Sequence, residues 1–395
     1  MKKIFKNLRM VDVKSETVIE DGLIIVEGRK IKYAGHSGRD YDSKGKGKVI
    51  DLEGKTVLPG IIDGHIHSLF DASPDPFGSL VDDSDSMITI KAVGFMEETV
   101  RNGIVAVRDM GGLDYLEFGL KEAIDNDLIL GPKLQLAGRL ITMTGGHGHL
   151  IGREVDSPAE ARKAAREQLK AGADFIKIMA TGGVMTEGVE PGAPQLTEAE
   201  MAAAIAEAHK AGRKTAAHAQ GTEGIKNALK AGIDSIEHGV FLDDETIELM
   251  LENGVYLVPT LSAVHWIVEE GVEAGIPEFA VKKSEAVLES HIRSFQLARG
   301  AGVKIAMGTD AGTPLNLHGA NLSELELMVE YGMEPLEAIK AATLTGAEMI
   351  GLTNELGSLE AGKNAHLVVV DGNPDKNIGD IHNIDQVYKN GSLIR

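Results

Sequence analysis

The chain has 395 residues, of which 43% are hydrophobic and 25% charged, and these values are ordinary for a folded globular protein. Its length exceeds the usual size of one compact core, so we expect one large domain and one smaller domain. A formal net charge of −20 argues against nucleic acid or an anionic membrane as a partner.

The sequence contains no cysteine, which excludes disulfides, a thiolate nucleophile and cysteine ligands for zinc. The first residues are basic, but no long apolar run follows them. No other run is long enough to cross a bilayer. We therefore expect a soluble, cytoplasmic protein.

Short apolar alternations separated by turn residues occupy both ends of the chain. They predict antiparallel strands before Leu58 and after Gly357, and Asn390-Gly391 is a strong hairpin signal. We expect residues 1–58 plus 357–395 to form one small β-sandwich domain.

A different pattern repeats between the ends: an amphipathic helix ends near a glycine, and an apolar strand follows at once. Gly172 and Gly232 are two such glycines, and glycine there allows the left-handed turn that stops a helix. The repeat predicts parallel βα units. The expected strands are 60–67, 104–109, 134–140, 175–180, 214–218, 234–238, 256–261 and 304–310.

This number of strands predicts a (β/α)8 TIM barrel, an α/β fold, over residues 59–356. A doubly wound sheet is the alternative. It is less favoured because no Gly-x-Gly-x-x-Gly loop follows the first strand.

Two histidines, His65 and His67, end the first predicted barrel strand. Their spacing turns both imidazoles to one face of a strand, which suits a metal such as zinc. Four further strands end in ionisable side chains, namely Lys177, His218, His238 and Asp310. At any one position, the alternative to a metal ligand is a buried histidine that is hydrogen-bonded to its own partner. Unpaired burial costs several kcal/mol for each group, so we favour a shared metal site where the strand ends meet.

Lys177 is flanked by Ile176 and Ile178, so its ammonium form would face a large desolvation cost. A partner carboxylate such as Asp174 or Glu187 would offset that cost. Carboxylation of the neutral amine would instead give an anionic ligand able to bridge two metals. The residues alone leave both interpretations open.

The order of these residues resembles that of the amidohydrolase superfamily. Residues 58–67 are similar to the opening motif of the family, and Gly308-Thr309-Asp310 to its Thr-Asp motif. Residues 357–369 are similar to its closing pattern, with His366 where the family usually has an aspartate. The resemblance covers essentially the full chain. It implies a metal-bearing (β/α)8 barrel and a small β domain built from both chain ends.

Residues 175–183 and 144–149 resemble more narrowly the Xaa-Pro dipeptidase (prolidase-like) and imidazolonepropionase-related branch, which uses two zinc ions bridged by a carboxylated lysine. The resemblance implies two Zn²⁺ per chain with these ligands: His65, His67 and Asp310 on the first ion, His218 and His238 on the second, and carboxylated Lys177 between them. It implies hydrolysis of the amide bond of a dipeptide or N-acyl amino acid by metal-bound hydroxide. Asp310 would pass the proton to the leaving amine.

Candidate substrate contacts lie on two loops. His147 is predicted to donate to the substrate carbonyl oxygen, unless it is a solvated side chain on a flexible loop. His149 and Arg153 are candidates for a substrate carboxylate, and His318 is a candidate pocket residue.

Two other functions stay open. A mononuclear deaminase or cyclic-amide hydrolase of the imidazolonepropionase type would not need a bridging ligand at Lys177. A non-catalytic scaffold would have lost ligands, whereas all six positions are filled. We expect a small-molecule substrate. The sequence leaves its identity, the metal and the oligomeric state open, and a homo-oligomer is compatible with it.

Overall fold

The chain is described by a computed structural model at residues 1–38 and 47–395, and these residues form a mixed α/β fold. Its strands are β1 (Lys2–Asp12), β2 (Thr17–Glu27), β3 (Lys30–His36), β4 (Lys48–Asp51), β5 (Thr56–Pro59), β6 (Ile61–Ile66), β7 (Ile104–Asp109), β8 (Lys133–Leu136), β9 (Leu140–Thr142), β10 (Gly152–Glu154), β11 (Phe175–Met179), β12 (Lys214–Ala219), β13 (Ser235–His238), β14 (Tyr256–Val258), β15 (Leu367–Val370), β16 (Ile384–Lys389) and β17 (Ser392–Leu393).

Helices separate most of the central strands. They are α1 (Pro76–Asp82), α2 (Asp85–Arg101), α3 (Leu116–Asp125), α4 (Pro158–Ala171), α5 (Glu198–Lys210), α6 (Thr222–Ala231), α7 (Asp244–Asn253), α8 (Leu261–Glu270), α9 (Glu278–Ala301), α10 (Ser323–Glu330), α11 (Pro335–Lys340) and α12 (Gly346–Met349). A π-helix, Ala341–Thr345, lies between the last two, and short 3₁₀ segments are His149–Ile151, Val272–Ala274 and Ile378–His382.

Local sequence signals explain the helix ends. Thr197 and Glu200 form a capping box at the start of α5, in which each side chain accepts a hydrogen bond from the backbone N–H of the other residue. The helices α4 and α6 end at Gly172 and Gly232 in the left-handed conformation, which confirms the predicted stops. None of the helices in the described ranges is both long and apolar enough to cross a membrane.

Strands from both chain ends form one eight-stranded sheet in the order β17-β16-β15-β5-β1-β2-β3, with β4 also paired to β1. Asn390 and Gly391 have φ values of 50° and 74° and connect β16 to β17, so the predicted hairpin is confirmed. A shared apolar cluster that includes Phe5, Ile24 and Leu367 holds the sheet together. The β-sandwich and its boundaries stay predictions, because the described strands form one connected sheet.

The central strands form two parallel sheets, β6-β7-β8 and β10-β9-β11-β12-β13-β14. The segment 304–311 lies between them. Leu257 of β14 bridges to Ile305, and Ile66 of β6 bridges to Ala311. The chain around Asp310 is thereby held beside the ends of β6 and β14, where the candidate site lies.

Two expected strands differ from the structure. The predicted strand 134–140 is divided into β8 and β9, because Gly138 has a φ of 70° and turns the chain between them. The predicted strand 304–310 has only isolated bridges and no ladder. Asp310 has a φ of 63°, which takes the end of this segment out of the extended conformation.

Candidate active site

One cavity at the ends of the central strands collects most of the predicted site residues. Its polar lining consists of His65, His67, His147, Lys177, His218, Gln220, His238, Asp310 and Thr313. The rest of the wall is mainly apolar and includes Phe70, Phe77 and Met179. All six candidate metal ligands and His147 therefore face the same enclosed space.

His65, His238 and Asp310 form the tightest cluster, since each offers a ligand atom and these atoms lie within 4.8 Å of one another. Asp310 Oδ1 is 3.3 Å from His65 Nε2 and 3.5 Å from His67 Nε2. This oxygen is buried and has no hydrogen-bond partner among the described residues. A buried carboxylate oxygen surrounded by imidazoles fits a bound cation, because a metal would satisfy both the oxygen and the ring nitrogens.

His218 lies on the other side of His238, and their ring centroids are 4.5 Å apart. Burial lowers the pKa of both histidines well below the usual value, and nearby Lys177 lowers it further. Both imidazoles are therefore neutral at neutral pH, which is the form that can bind a metal.

Lys177, on β11, lines the same cavity, and 2% of its surface is exposed. It makes no hydrogen bond or ion pair within the described part of the chain, and Asp174 pairs with Lys121 instead. Burial lowers the pKa of Lys177 to about 8, against the opposing effect of Glu237 and Asp310. At neutral pH the ammonium form still predominates, but the neutral amine is far more abundant than in a lysine with the ordinary pKa.

Backbone strain is concentrated at two of these residues. His238 and Asp310 have φ values of 71° and 63°, a left-handed conformation that is uncommon for residues other than glycine. Asp63 stabilises the backbone next to Asp310 and at His65. Its carboxylate accepts hydrogen bonds from the backbone N–H groups of His65 (3.0 Å) and Thr309 (3.1 Å), and from the Thr309 hydroxyl at 2.6 Å.

A buried polar layer lies beneath His65. Its Nδ1 is 2.9 Å from Oε2 of Glu237, and Oε1 of Glu237 accepts hydrogen bonds from Arg108 (2.8 Å) and Ser235 (2.6 Å). Burial would raise the pKa of Glu237, but Arg108 and His65 lower it to about 2, so the carboxylate is ionised. Arg108 also donates to the carbonyl oxygen of Gly64 at 2.7 Å.

His147 lies in the cavity wall, and its ring centroid is 4.5 Å from that of His218. Its Nδ1 is 2.8 Å from the hydroxyl of Thr186, and its backbone N–H donates to Gln195 at 3.1 Å. Burial lowers the pKa of His147 to about 3, so the imidazole is neutral. It is not the solvated side chain of the alternative interpretation.

The structure does not bring three predicted substrate residues to the cavity lining. His149 Nδ1 bonds to the carbonyl oxygen of Gly146 at 3.0 Å. Arg153 pairs with Glu167 at 2.9 Å. His318 is buried behind the wall, where its Nε2 donates to the carbonyl oxygen of Phe70 at 2.9 Å. Each of these side chains is already engaged elsewhere, so the geometry gives their predicted substrate role no support.

Sequence reasoning missed Glu237 and Thr260, which contact candidate ligands, and Arg108, which contacts Glu237. The Thr260 hydroxyl is 2.6 Å from His238 Nδ1. Glu237 had a visible signal, because a glutamate inside the short apolar strand Ser235–His238 needs a buried partner. Arg108 could have been noticed in the same way, because it is a charged residue inside the buried strand β7. Thr260 could not, since a threonine just after a strand is common and does not indicate a functional role.

Residues 56–394 match the model of the Amidohydrolase family, so the chain belongs to this family. It is similar to the ochratoxinase of Aspergillus niger, with 31% identity over 86% of this chain and 75% of that protein. It is also similar to the crystal structure of a Xaa-Pro dipeptidase with bound methionine in the active site. That comparison gives a TM-score of 0.92 and 35% identity, covering 100% of this chain and 99% of the other.

An imidazolonepropionase from Shouchella clausii is 26% identical over 97% of this chain and 87% of that protein. These similarities confirm the family and the branch that the sequence motifs predicted. The protein is a hydrolase acting on C–N bonds.

Proposed function

We propose that the protein is a binuclear metal-dependent hydrolase that cleaves the amide bond of a dipeptide or an N-acyl amino acid. The observation that carries this proposal is the convergence of all six candidate ligands on one cavity, in which Oδ1 of Asp310 has no hydrogen-bond partner among the described residues. The similarity to a Xaa-Pro dipeptidase at 35% identity supports the substrate class.

The metal ligands would be His65, His67 and Asp310 for one zinc ion and His218 and His238 for the other. Lys177 would bridge them as a carbamate, formed when its neutral amine adds carbon dioxide and releases a proton. The lowered pKa of Lys177, about 8, supports this step because only the neutral amine reacts. When bound, such ions lower the pKa of a coordinated water and polarise the substrate carbonyl.

The protein's own side chains would move the protons and orient the substrate. Asp310 would accept a proton from the attacking water and return it to the leaving amine nitrogen. His147 would donate a hydrogen bond to the substrate carbonyl oxygen as negative charge develops there. Phe70, Phe77 and Met179 would exclude water and bind the apolar parts of the substrate.

We further propose that the two parallel sheets, joined through 304–311, form a closed (β/α)8 barrel over residues 59–356. Residues 1–58 plus 357–395 would be the second domain. The bridges at Ile305 and Ala311 support closure, since they connect β14 to β6.

The alternative is a mononuclear deaminase or cyclic-amide hydrolase. Two observations support this alternative. The chain is similar to an imidazolonepropionase, and His65, His238 and Asp310 are the only tight cluster of possible metal ligands found within residues 1–38 and 47–395. Lys177 distinguishes the two functions, because a mononuclear enzyme has no use for a bridging carbamate.

The test is a hydrolysis screen of dipeptides and N-acyl amino acids, with metal content measured on the same samples. We expect two metals per chain and release of a free amino acid. A Lys177→Met variant should then lose at least one metal and its activity. One metal per chain, unchanged by Lys177→Met, together with ammonia release from a ring substrate would overturn the proposal.

A further inference from the structure

The chain after β11 forms a hairpin across the cavity, residues 182–193, which we call the lid. Its base is closed by two backbone hydrogen bonds, from Gly182 N–H to Ala193 O at 2.9 Å and from Gly192 N–H to Gly182 O at 3.0 Å. Val184 and Met185 of the lid line the cavity and belong to an apolar cluster with side chains of α8 and α9. The lid is therefore closed over the candidate site.

The tip of the lid is held by Lys283 of α9. Its ammonium donates to the backbone carbonyl oxygen of Thr186 at 2.8 Å and to that of Val189. No carboxylate lies within ion-pair distance of Lys283 in the described ranges, although Glu187 and Glu190 act on it at longer range. A lysine whose partners are two carbonyl groups of one loop stabilises the conformation of that loop.

The same lid tip contacts His147 through the side chain of Thr186. The Thr186 hydroxyl lies 2.8 Å from His147 Nδ1, and the backbone N–H of Gly148 approaches this hydroxyl oxygen at 3.5 Å. The hydroxyl oxygen thus already faces a donor. The Thr186 hydroxyl can donate its own proton to Nδ1 at the same time, and no other acceptor for this proton lies within hydrogen-bond distance among the described residues.

Donation from the Thr186 hydroxyl to Nδ1 would fix the form of the imidazole. A neutral ring carries one proton, and if Nδ1 accepts from Thr186, that proton must be on Nε2. The Nε2–H form is the one that can donate a hydrogen bond from Nε2. Space around Nε2 is limited, because a Cβ atom at Gly183 would lie only 2.5 Å from it.

We propose that Thr186 is a positioning residue that couples closure of the lid to the Nε2–H form of His147, with Lys283 as the latch that holds the lid closed. This inference rests on the proposed function, in which His147 donates to the substrate carbonyl oxygen. Opening of the lid withdraws the Thr186 hydroxyl and leaves His147 free to change tautomer and orientation. His147 is then a competent donor only when water is excluded from the cavity.

The first experiment compares Thr186→Val, which has nearly the same shape without the hydroxyl, with Thr186→Ser, which keeps it. The holoenzyme is labelled with ¹⁵N-histidine, and the tautomer of His147 is read from its ring nitrogen shifts. We expect Thr186→Val to lose the preference for Nε2–H and to lower kcat about tenfold or more, with a smaller change in KM. Thr186→Ser should resemble the parent enzyme in both the Nε2–H preference of His147 and kcat. Unchanged ring shifts in Thr186→Val would overturn the proposal.

The second experiment tests the latch with Lys283→Met and uses Lys282→Met as its matched control. Lys282 is the neighbouring lysine on α9, is exposed and forms an ion pair with Glu278 one turn earlier on the same helix. Hydrogen exchange of the lid amides at residues 184–189 should be at least about tenfold faster in Lys283→Met and unchanged in the control. Equal exchange in both variants would contradict a latch.

The ring nitrogen shifts of His147 and the hydrogen exchange of the lid amides can both be measured without catalytic turnover. If no amide is hydrolysed by the parent enzyme but the tautomer and exchange shifts appear, the proposed function fails and the coupling stands. If hydrolysis is seen but neither shift appears, the coupling fails and the proposed function stands. A Thr186→Val variant that does not fold leaves Thr186→Ser and the Lys283 pair to decide.

Discussion

His65 Nδ1 lies 2.9 Å from a carboxylate oxygen of Glu237, and both side chains are almost completely buried. Because Glu237 is ionised, it accepts the Nδ1 proton, and the Nε2 atom of His65 is directed away from it. That nitrogen is the one closest to Asp310. Glu237 thus orients a candidate metal ligand from behind, as carboxylates behind ligating histidines commonly do.

We predict that Glu237→Gln weakens metal binding by about 10–100-fold, because a neutral amide is a poorer acceptor for the Nδ1 proton. The measurement is competition for zinc against a chelator of known affinity. Glu252→Gln, an exposed residue at the end of α7, is the matched control and should bind metal as the parent does. Equal affinities for the two variants would show that Glu237 does not act on the metal site.

We predict that Arg108 and Glu237 are strongly coupled, so that the effect of replacing one on the free energy of unfolding depends on whether the other is present. Arg108→Met alone should destabilise the fold by about 3–5 kcal/mol, because it leaves a buried carboxylate without its cation. The double replacement Arg108→Met with Glu237→Gln should cost clearly less than the sum of the two single changes. Denaturant unfolding of all four proteins measures this, and additive effects would refute the coupling.

Asp310→Asn is predicted to lower kcat/KM by about 10³-fold, because an amide can neither accept the proton nor offer a negative charge to a cation. Its metal content should fall as well. Treatment of the parent enzyme with a chelator should abolish hydrolysis, and added zinc should restore it. Asp82→Asn, at an exposed position in α1, serves as the control. Full activity in the chelated enzyme would contradict metal dependence.

Glu117 is predicted to make stability depend on pH. Its carboxyl group is fully buried, and neither oxygen has a hydrogen-bond partner in the described residues. Burial, together with Asp109, raises the pKa from 4.5 to about 8. Between these values the folded protein binds a proton that the unfolded chain has lost, so stability falls as pH rises from about 4.5 to about 8.

Glu117→Gln removes this ionisation. At pH 9 the variant should therefore be more stable than the parent by a few kcal/mol, while at pH 4 the two should be similar. Thermal unfolding across this pH range measures the difference. Glu122→Gln, exposed on the same helix, should follow the parent at every pH. A stability difference that does not change with pH would contradict a raised pKa.

The candidate ligands could be predicted from sequence because each ends a short apolar run, and parallel strands bring such ends together. His238 illustrates this, since it closes Ser235–His238 and lies beside His65 and Asp310. The pattern needs only the alternation of helices and strands, so it does not depend on details of side-chain packing. The hairpin at Asn390 was predictable for a similarly local reason.

The positions of side chains on loops could not be predicted from the sequence in the same way. Arg153 and His318 are close in sequence to candidate site residues, but sequence proximity does not say where a side chain points. His318 stacks on Phe95, with ring centroids 4.9 Å apart, and Arg153 binds Glu167. These partners belong to other helices, and nothing in the sequence near Arg153 or His318 indicates them. The contact between Thr186 and His147 escaped prediction for the same reason.

The strand β15 pairs with β5, and the backbone N–H of Gly60 donates to the carbonyl oxygen of His366 at 3.1 Å. The strand β5 therefore waits for a partner strand that lies far downstream in the chain and is synthesised much later. Until residues 367–370 emerge, β5, whose four residues are all buried in the finished fold, presents an open edge beside β1. Such edges promote association between nascent chains. We expect the yield of folded protein to depend on how β5 is shielded during translation, as well as on the stability of the finished molecule.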